Sequence, residues 1–162
     1  MKAVVQRVIN AKVTVDGDVK GKIESGLLVY LGVAHNDSES DADWLSEKIA
    51  YLRIFNDKNG KMNLSLKDLA AEKSRETVIS KENLPSVLAI SQFTLLGDAR
   101  KGRRPSWNGA ALPGKAKQLY EYFMESIRKH DLVCESGEFQ AHMKVSYTND
   151  GPVTIILDTE EL

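Results

Sequence analysis

The chain predicts a single α+β domain: a β-barrel-like, antiparallel-rich sheet covered by two main helices. Three observations carry that reading. Strand-like apolar runs outnumber helical ones, only two segments space their apolar residues at 3 and 4, and no repeat, linker or low-complexity tract divides the sequence. Its 162 residues fit one domain spanning 1–162.

Residues 2–15 read as a long strand through Val4, Val5, Val8, Ile9, Val13 and Val15. Asp16-Gly17 follows, a pair that accepts positive φ and favours a tight hairpin. The return strand runs through Val19 and Ile23, and Gly26 punctuates before Leu27–Val33, a near-continuous apolar run that fits a strand covered on both faces. Asn36 to Asp41 supplies several caps and acid for a helix start, and Leu45, Ile49 and Leu52 predict an amphipathic helix over 41–54. Asn56–Gly60 is a turn cluster. Residues 66–86 are polar and weakly patterned, a surface insertion with at most one short helix. Val87–Ile90 restarts a buried strand that runs into Ser91-Gln92-Phe93-Thr94. Residues 97–112 form a Gly- and Pro-broken loop, and Pro113 opens a second helix that ends near His130. Residues 132–139 carry a turn at Ser136-Gly137. Met143, Val145 and Tyr147 alternate as a half-buried strand, Asn149-Asp150-Gly151-Pro152 breaks it, and Val153–Leu157 is the last strand.

Composition excludes several classes. With 22 Lys+Arg against 23 Asp+Glu the net charge is −1, too balanced for a general polyanion binder but open to a local basic patch. One cysteine, Cys134, excludes an internal disulfide framework and Cys-rich zinc modules. Ala3-Val4-Val5 is too short a run for a signal peptide, and no stretch approaches a membrane span, so the expected compartment is cytoplasmic. His35, His130 and His142 lack the mutual spacing of metal ligands, and neither metal nor cofactor is expected. Gly109 to Lys115 imitates a phosphate-binding loop, but Ala116 has no hydroxyl for a cation and Pro113 no N–H for a phosphate. No G-x-S-x-G occurs, and Cys134 reads as a small buried hydrophobe.

Three features remain. Arg100, Lys101, Arg103 and Arg104 place four cations in five residues on the loop, a phosphate clamp or a solvated surface. Ser91-Gln92-Phe93-Thr94 ends an apolar strand abruptly in polar groups, where hydroxyls and backbone N–H groups face a ligand or cap a turn. Asn149-Asp150-Gly151-Pro152-Val153-Thr154 is by itself a β-turn pattern.

In this order they say more. SQFTL and NDGPVT, with RKGRRPSW between them and MKAVVQRV and AKVTV at the start, closely resemble the D-aminoacyl-tRNA deacylase family. Arg53-Ile54-Phe55, Gly60–Ser65 and Phe139–Met143 extend the resemblance over nearly the whole chain, with 66–86 the segment that departs from it.

The resemblance implies hydrolysis of the ester between a D-amino acid and the terminal adenosine of tRNA, and of glycyl-tRNA. It implies catalysis at Ser91, Gln92, Phe93 and Thr94, with the Phe93 and Thr94 N–H groups on the oxyanion and the tRNA 2′-hydroxyl assisting. The Thr94 hydroxyl is the alternative nucleophile. It further implies a homodimer in which a cis Gly151-Pro152 enters the partner's site and rejects L substrates, a pocket that includes Asn149, Ala141 and Met143, and tRNA contacts from Arg100, Lys101, Arg103 and Arg104. Two rivals remain open: a non-catalytic tRNA- or RNA-binding module, and a general small-ester hydrolase acting without tRNA.

Overall fold

The computed structural model describes residues 1–75 and 83–161. Its centre is β1 (Lys2–Val15), which pairs antiparallel with β2 (Asp18–Ile23) and β3 (Gly26–Gly32) along one side and with β8 (Lys144–Asp158) along the other. Parallel pairings continue the sheet from β3 to β6 (Ser86–Ser91) and on to β7 (Val133–Ser136). The two ends, β2 and β7, approach each other. A Cβ on Gly21 would lie 2.4 Å from the Ser136 carbonyl oxygen, so only a residue without a side chain lets the strands come this close. Lys20 adds an ion pair to Glu138 at 3.4 Å, and the sheet is thereby nearly closed into a barrel.

The period-2 alternation of strands explains two cores. Leu27, Val29, Leu31, Val87 and Ala89 point outward under α1 (Glu39–Ala50) and α3 (Pro113–Lys129), against Leu45, Ile49, Leu119, Phe123 and Ile127. Leu28, Leu88 and Ile90 point inward and meet Val8, Ala11, Val13 and Ile23 inside the barrel. A strand buried on both sides has no polar face, so the uninterrupted apolar run at 27–33 follows from this geometry.

Helix α1 starts at Glu39, two residues before the expected start. Ser38 is the N-cap, and its N–H donates to the Asp41 carboxylate at 2.8 Å, so Asp41 is the cap's partner inside the first turn. The helix ends at Ala50 and not at 54, because Leu52 to Ile54 turn away to begin a small hairpin of β4 (Phe55–Asn56) and β5 (Met62–Leu64). The Asn56–Gly60 turn cluster connects these strands. Residues 66–73 form a third, short helix, α2 (Leu66–Lys73), capped by Ser65 and burying Leu66 and Ala70. Residues 76–82 of the expected surface insertion lie outside the described residues.

Two further expectations are corrected. Residues 133–136 are a strand and not merely the approach to a turn, because Val133–Ser136 adds to the open edge of β6. Gly151-Pro152 does not end the last strand either. β8 continues through it, since β1 holds the segments on both sides, with Gln6 opposite Thr154 and Val8 opposite Asn149. The four residues Asp150–Val153 between those partners are accommodated as a bulge opposite Arg7.

Candidate functional site

The carboxyl ends of the parallel pair β3 and β6 open into a cavity of about 550 Å³. Its floor is the end of the sheet: Leu31, Ile90 and Ser91. One wall is held by main-chain bonds from the Ala111 N–H to the Val33 carbonyl (2.9 Å) and from the His35 N–H to the Gly109 carbonyl (3.2 Å), which lay Ala110 and Ala111 along the end of β3. The opposite wall, Phe139 to Met143, leaves β7 after Gly137, whose N–H donates to the Ala89 carbonyl at 3.2 Å. Tyr120 of α3 closes the back. Its hydroxyl donates to the Ala89 carbonyl at 2.8 Å, and burial holds its pKa above the ordinary tyrosine value, so it is a neutral positioning group and not a base.

β6 stops at Ser91. The Gln92 N–H makes a last bond to the Leu31 carbonyl at 2.7 Å, and Phe93–Leu96 wind into a single 3₁₀ turn. Phe93 and Thr94 are the first two residues of that turn, where N–H groups have no carbonyl within the turn to bond. Ser91, Gln92 and Phe93 line the cavity. Thr94 does not line it, and its hydroxyl accepts a hydrogen bond from the Gln92 amide at 2.5 Å. Among the described residues lining the cavity there is no carboxylate, lysine or arginine. The walls are mostly apolar, with Ser91 and Gln92 at the strand end and Gln140 and His142 on the opposite wall.

Ala141 and Met143 line the same cavity. Asn149, Gly151 and Pro152 do not line it within this chain. They form the bulge on β8, with a cis Gly151–Pro152 peptide and Gly151 at φ +120°. Two side chains brace it. The Asn149 amide makes a reciprocal pair with Val153, donating to its carbonyl (3.2 Å) and accepting from its N–H (3.1 Å). Arg7, 8% exposed, donates its Nε–H to the Asp150 carbonyl (3.2 Å), forms an ion pair with the Asp150 carboxylate (2.9 Å), and donates Nη1–H to the Ile54 carbonyl at 2.6 Å. Gly151 and Pro152 themselves are exposed at the tip.

The basic loop is anchored by main-chain bonds between Asp98 and Ser106 in both directions, at 2.8 and 2.9 Å. Arg100 is not free. It forms a fork with Asp98 (2.9 and 2.7 Å), and these bonds pull the Asp98 carboxyl down to about 2. Lys101, Arg103 and Arg104 are exposed and have no ion pair among the described residues. Lys115, the lysine of the phosphate-loop lookalike, donates to the His35 carbonyl at 2.6 Å, and Pro113 begins α3. Cys134 is buried, and burial pushes its thiol up to about 12.

Sequence reasoning missed Ala110, Ala111 and Tyr120 as walls and Arg7 as a brace. Small and apolar residues carry no chemical signature. Arg7 stands within the opening MKAVVQRV, but only the fold brings residue 7 against residue 150.

The chain is similar to known proteins along its whole length. Residues 4–158 match the family model described as D-Tyr-tRNA(Tyr) deacylase. A D-aminoacyl-tRNA deacylase of Koribacter versatilis is 55% identical over 161 residues, 99% of each chain. A solved structure titled c-Myc DNA Unwinding Element Binding Protein is 37% identical, with a TM-score of 0.82 over 98% of this chain and 99% of that one. A probable eukaryotic D-amino acid tRNA deacylase shares the fold at 14% identity, with a TM-score of 0.71 over 96% and 97% of the two chains. The chain belongs to the D-Tyr-tRNA(Tyr) deacylase family.

Proposed function

We propose that this protein hydrolyses the ester joining a D-amino acid to the terminal adenosine of tRNA, releasing the free amino acid and tRNA as a chiral proofreading step in translation. The observation that carries the reading is the end-to-end likeness to D-aminoacyl-tRNA deacylases. The cavity at the Ser91-Gln92-Phe93-Thr94 turn supports it. Residues 1–162 act as one catalytic domain.

In this reading the aminoacyl group enters the cavity and its ester carbonyl lies at the end of β6. The Phe93 and Thr94 N–H groups donate to the oxyanion as water adds to the carbonyl, and the ribose oxygen departs with a proton. Loss of one such donor typically costs on the order of 10²–10³ in rate. The described lining residues offer no carboxylate, and His142 is the one imidazole among them; in this reading the neighbouring 2′-hydroxyl of the substrate assists. Thr94 Oγ1 already accepts from Gln92, which counts against its acting as nucleophile.

Handedness is sorted by shape, since D and L substrates carry the same groups. The protein works as a homodimer. The bulge carrying Gly151-Pro152 enters the partner's cavity beside Ala141 and Met143, its main-chain carbonyls facing the α-carbon, with Asn149 holding it in shape. An L side chain collides with that backbone, a D side chain points away, and glycine passes because it has nothing to collide. The exposed tip and its absence from its own chain's cavity support the cross-subunit arrangement. Lys101, Arg103 and Arg104 take phosphates of the acceptor stem while Arg100 shapes the loop. Translation editing places the protein in the cytoplasm.

The test is incubation of purified protein with D-tyrosyl-, L-tyrosyl- and glycyl-tRNA beside a simple ester. Turnover of the D and glycyl substrates with the L substrate spared is expected. Equal cleavage of D and L, or of the simple ester, would overturn the reading. Binding of tRNA without turnover would favour a nucleic-acid-binding module, which the name of the 37% identical solved relative suggests.

A further inference from the structure

Phe93 and Trp107 are large aromatic side chains left 59% and 39% exposed at the mouth of the cavity. They meet edge to face, with ring centroids 5.8 Å apart and planes at 61°. Neither position is accidental. Phe93 is fixed by the 3₁₀ turn at the end of β6, and it lines the cavity. Trp107 directly follows Ser106, whose two main-chain bonds to Asp98 close the basic loop. Gly97 adjoins the indole, for a Cβ there would lie 3.3 Å from its Nε1. The same closure holds Lys101, Arg103 and Arg104 on the loop that ends at Trp107. Cavity, aromatic pair and cations therefore follow one another along the surface.

An exposed aromatic surface next to unpaired cations suits a single-stranded nucleic acid. Every base has a face that stacks on an aromatic ring, and every linkage carries a charge that a cation attracts. We propose that Phe93 and Trp107 form a stacking platform for an unpaired base of the acceptor strand just before the terminal adenosine, beside the acceptor-stem phosphates held by Lys101, Arg103 and Arg104. This rests on the aminoacyl-tRNA reading above and extends it. The platform measures the single-stranded end and delivers the ester to the cavity without reading base identity.

Trp44 and Trp107 are the two tryptophans, so Trp44→Phe leaves Trp107 as the only indole reporter. An RNA hairpin with a single-stranded 3′ overhang is expected to quench Trp107 fluorescence, and a blunt hairpin of the same stem is not. Trp107→Ala should raise KM for D-tyrosyl-tRNA about tenfold with a much smaller change in kcat, the lower part of what one stacked base contributes. Trp107→Phe should recover most of that loss, which a merely structural defect of the loop would not require. Equal quenching by both hairpins, no quenching by an overhang RNA that binds, or an unchanged KM in Trp107→Ala would overturn the proposal. The failures separate: absent wild-type turnover strikes the deacylase reading, while full turnover with an unresponsive Trp107 strikes the platform alone.

Discussion

Replacing Arg7 by methionine keeps most of the apolar stem and removes the guanidinium that ties β1 to the 150–153 bulge. The structure sets the size of the effect. Nη1 donates to the Ile54 carbonyl at 2.6 Å, and Ile54 is 7% exposed, so the lost donor leaves a buried acceptor unsatisfied. That costs about 1–3 kcal/mol. The Asp150 carboxylate is 46% exposed, so its ion pair with Arg7 adds at most about 1 kcal/mol. A total of about 1–4 kcal/mol corresponds to a melting temperature lower by roughly 2–16 °C for a chain of this size. The functional effect should be larger than the stability effect suggests. With Asp150 released, the Gly151-Pro152 tip loses one of its two braces, and the D-to-L ratio of kcat/KM on tyrosyl-tRNA should fall well below that of wild type at a temperature where both proteins are folded. Thermal melts and paired single-turnover assays read both quantities. A variant with the wild-type melting temperature and an unchanged D-to-L ratio would refute the bracing role.

Other expectations follow from the same geometry. Gly151→Ala places a Cβ 2.8 Å from Val153 and 3.0 Å from Arg7 at φ +120°, so it should be destabilised by about 1–2 kcal/mol or more; a wild-type melting curve would contradict this. Thr94→Ala removes only the acceptor of the Gln92 amide and should keep a substantial part of the turnover, whereas a fall beyond roughly 10³-fold with binding intact would restore Thr94 as the nucleophile. Changing Lys101, Arg103 and Arg104 together to alanine should make the plot of log affinity against log salt shallower by about 2–3 units, and an unchanged slope would remove these cations from the tRNA interface. Cys134 and Tyr30 both titrate near 12 in the folded chain, chiefly through burial, against ordinary values of 9.0 and 10.0. Their raised values favour the protonated forms in the fold, so stability present below pH 9 should decline as pH rises toward 12. Denaturation midpoints across that range check the sign, and a midpoint that rises would contradict it.

Much of the architecture was legible because local signals and burial agree. Leu27–Val33 has no polar face, and the structure covers both sides of it. Asp16-Gly17 sits at positive φ between β1 and β2, and Pro113 starts α3. What escaped depended on partners distant in sequence. Val133–Ser136 is too short and mixed to announce a strand, and it becomes one only because β6 offers an unpaired edge. Gly151-Pro152 carries a strand-breaking pattern, yet fourteen-residue β1 pairs on both sides of it and absorbs the excess as a bulge. The site divides in the same way. Ser91, Gln92, Phe93, Ala141 and Met143 converge on one cavity. That Asn149 and Gly151 stand apart from that cavity in the same chain required the register of β8 against β1.

The claim beneath all of this is that a backbone loop from one copy of the chain sorts handedness in the cavity of another. Co-expression of two crippled protomers tests it most directly: Ala141→Trp, which fills the cavity but keeps the loop, and Gly151→Ala, which distorts the loop but keeps the cavity. A mixed dimer then holds one intact composite site, and it should hydrolyse D-tyrosyl-tRNA and spare the L form where neither parent does. A D-to-L ratio in the isolated mixed dimer no higher than that of the Gly151→Ala parent would contradict the account.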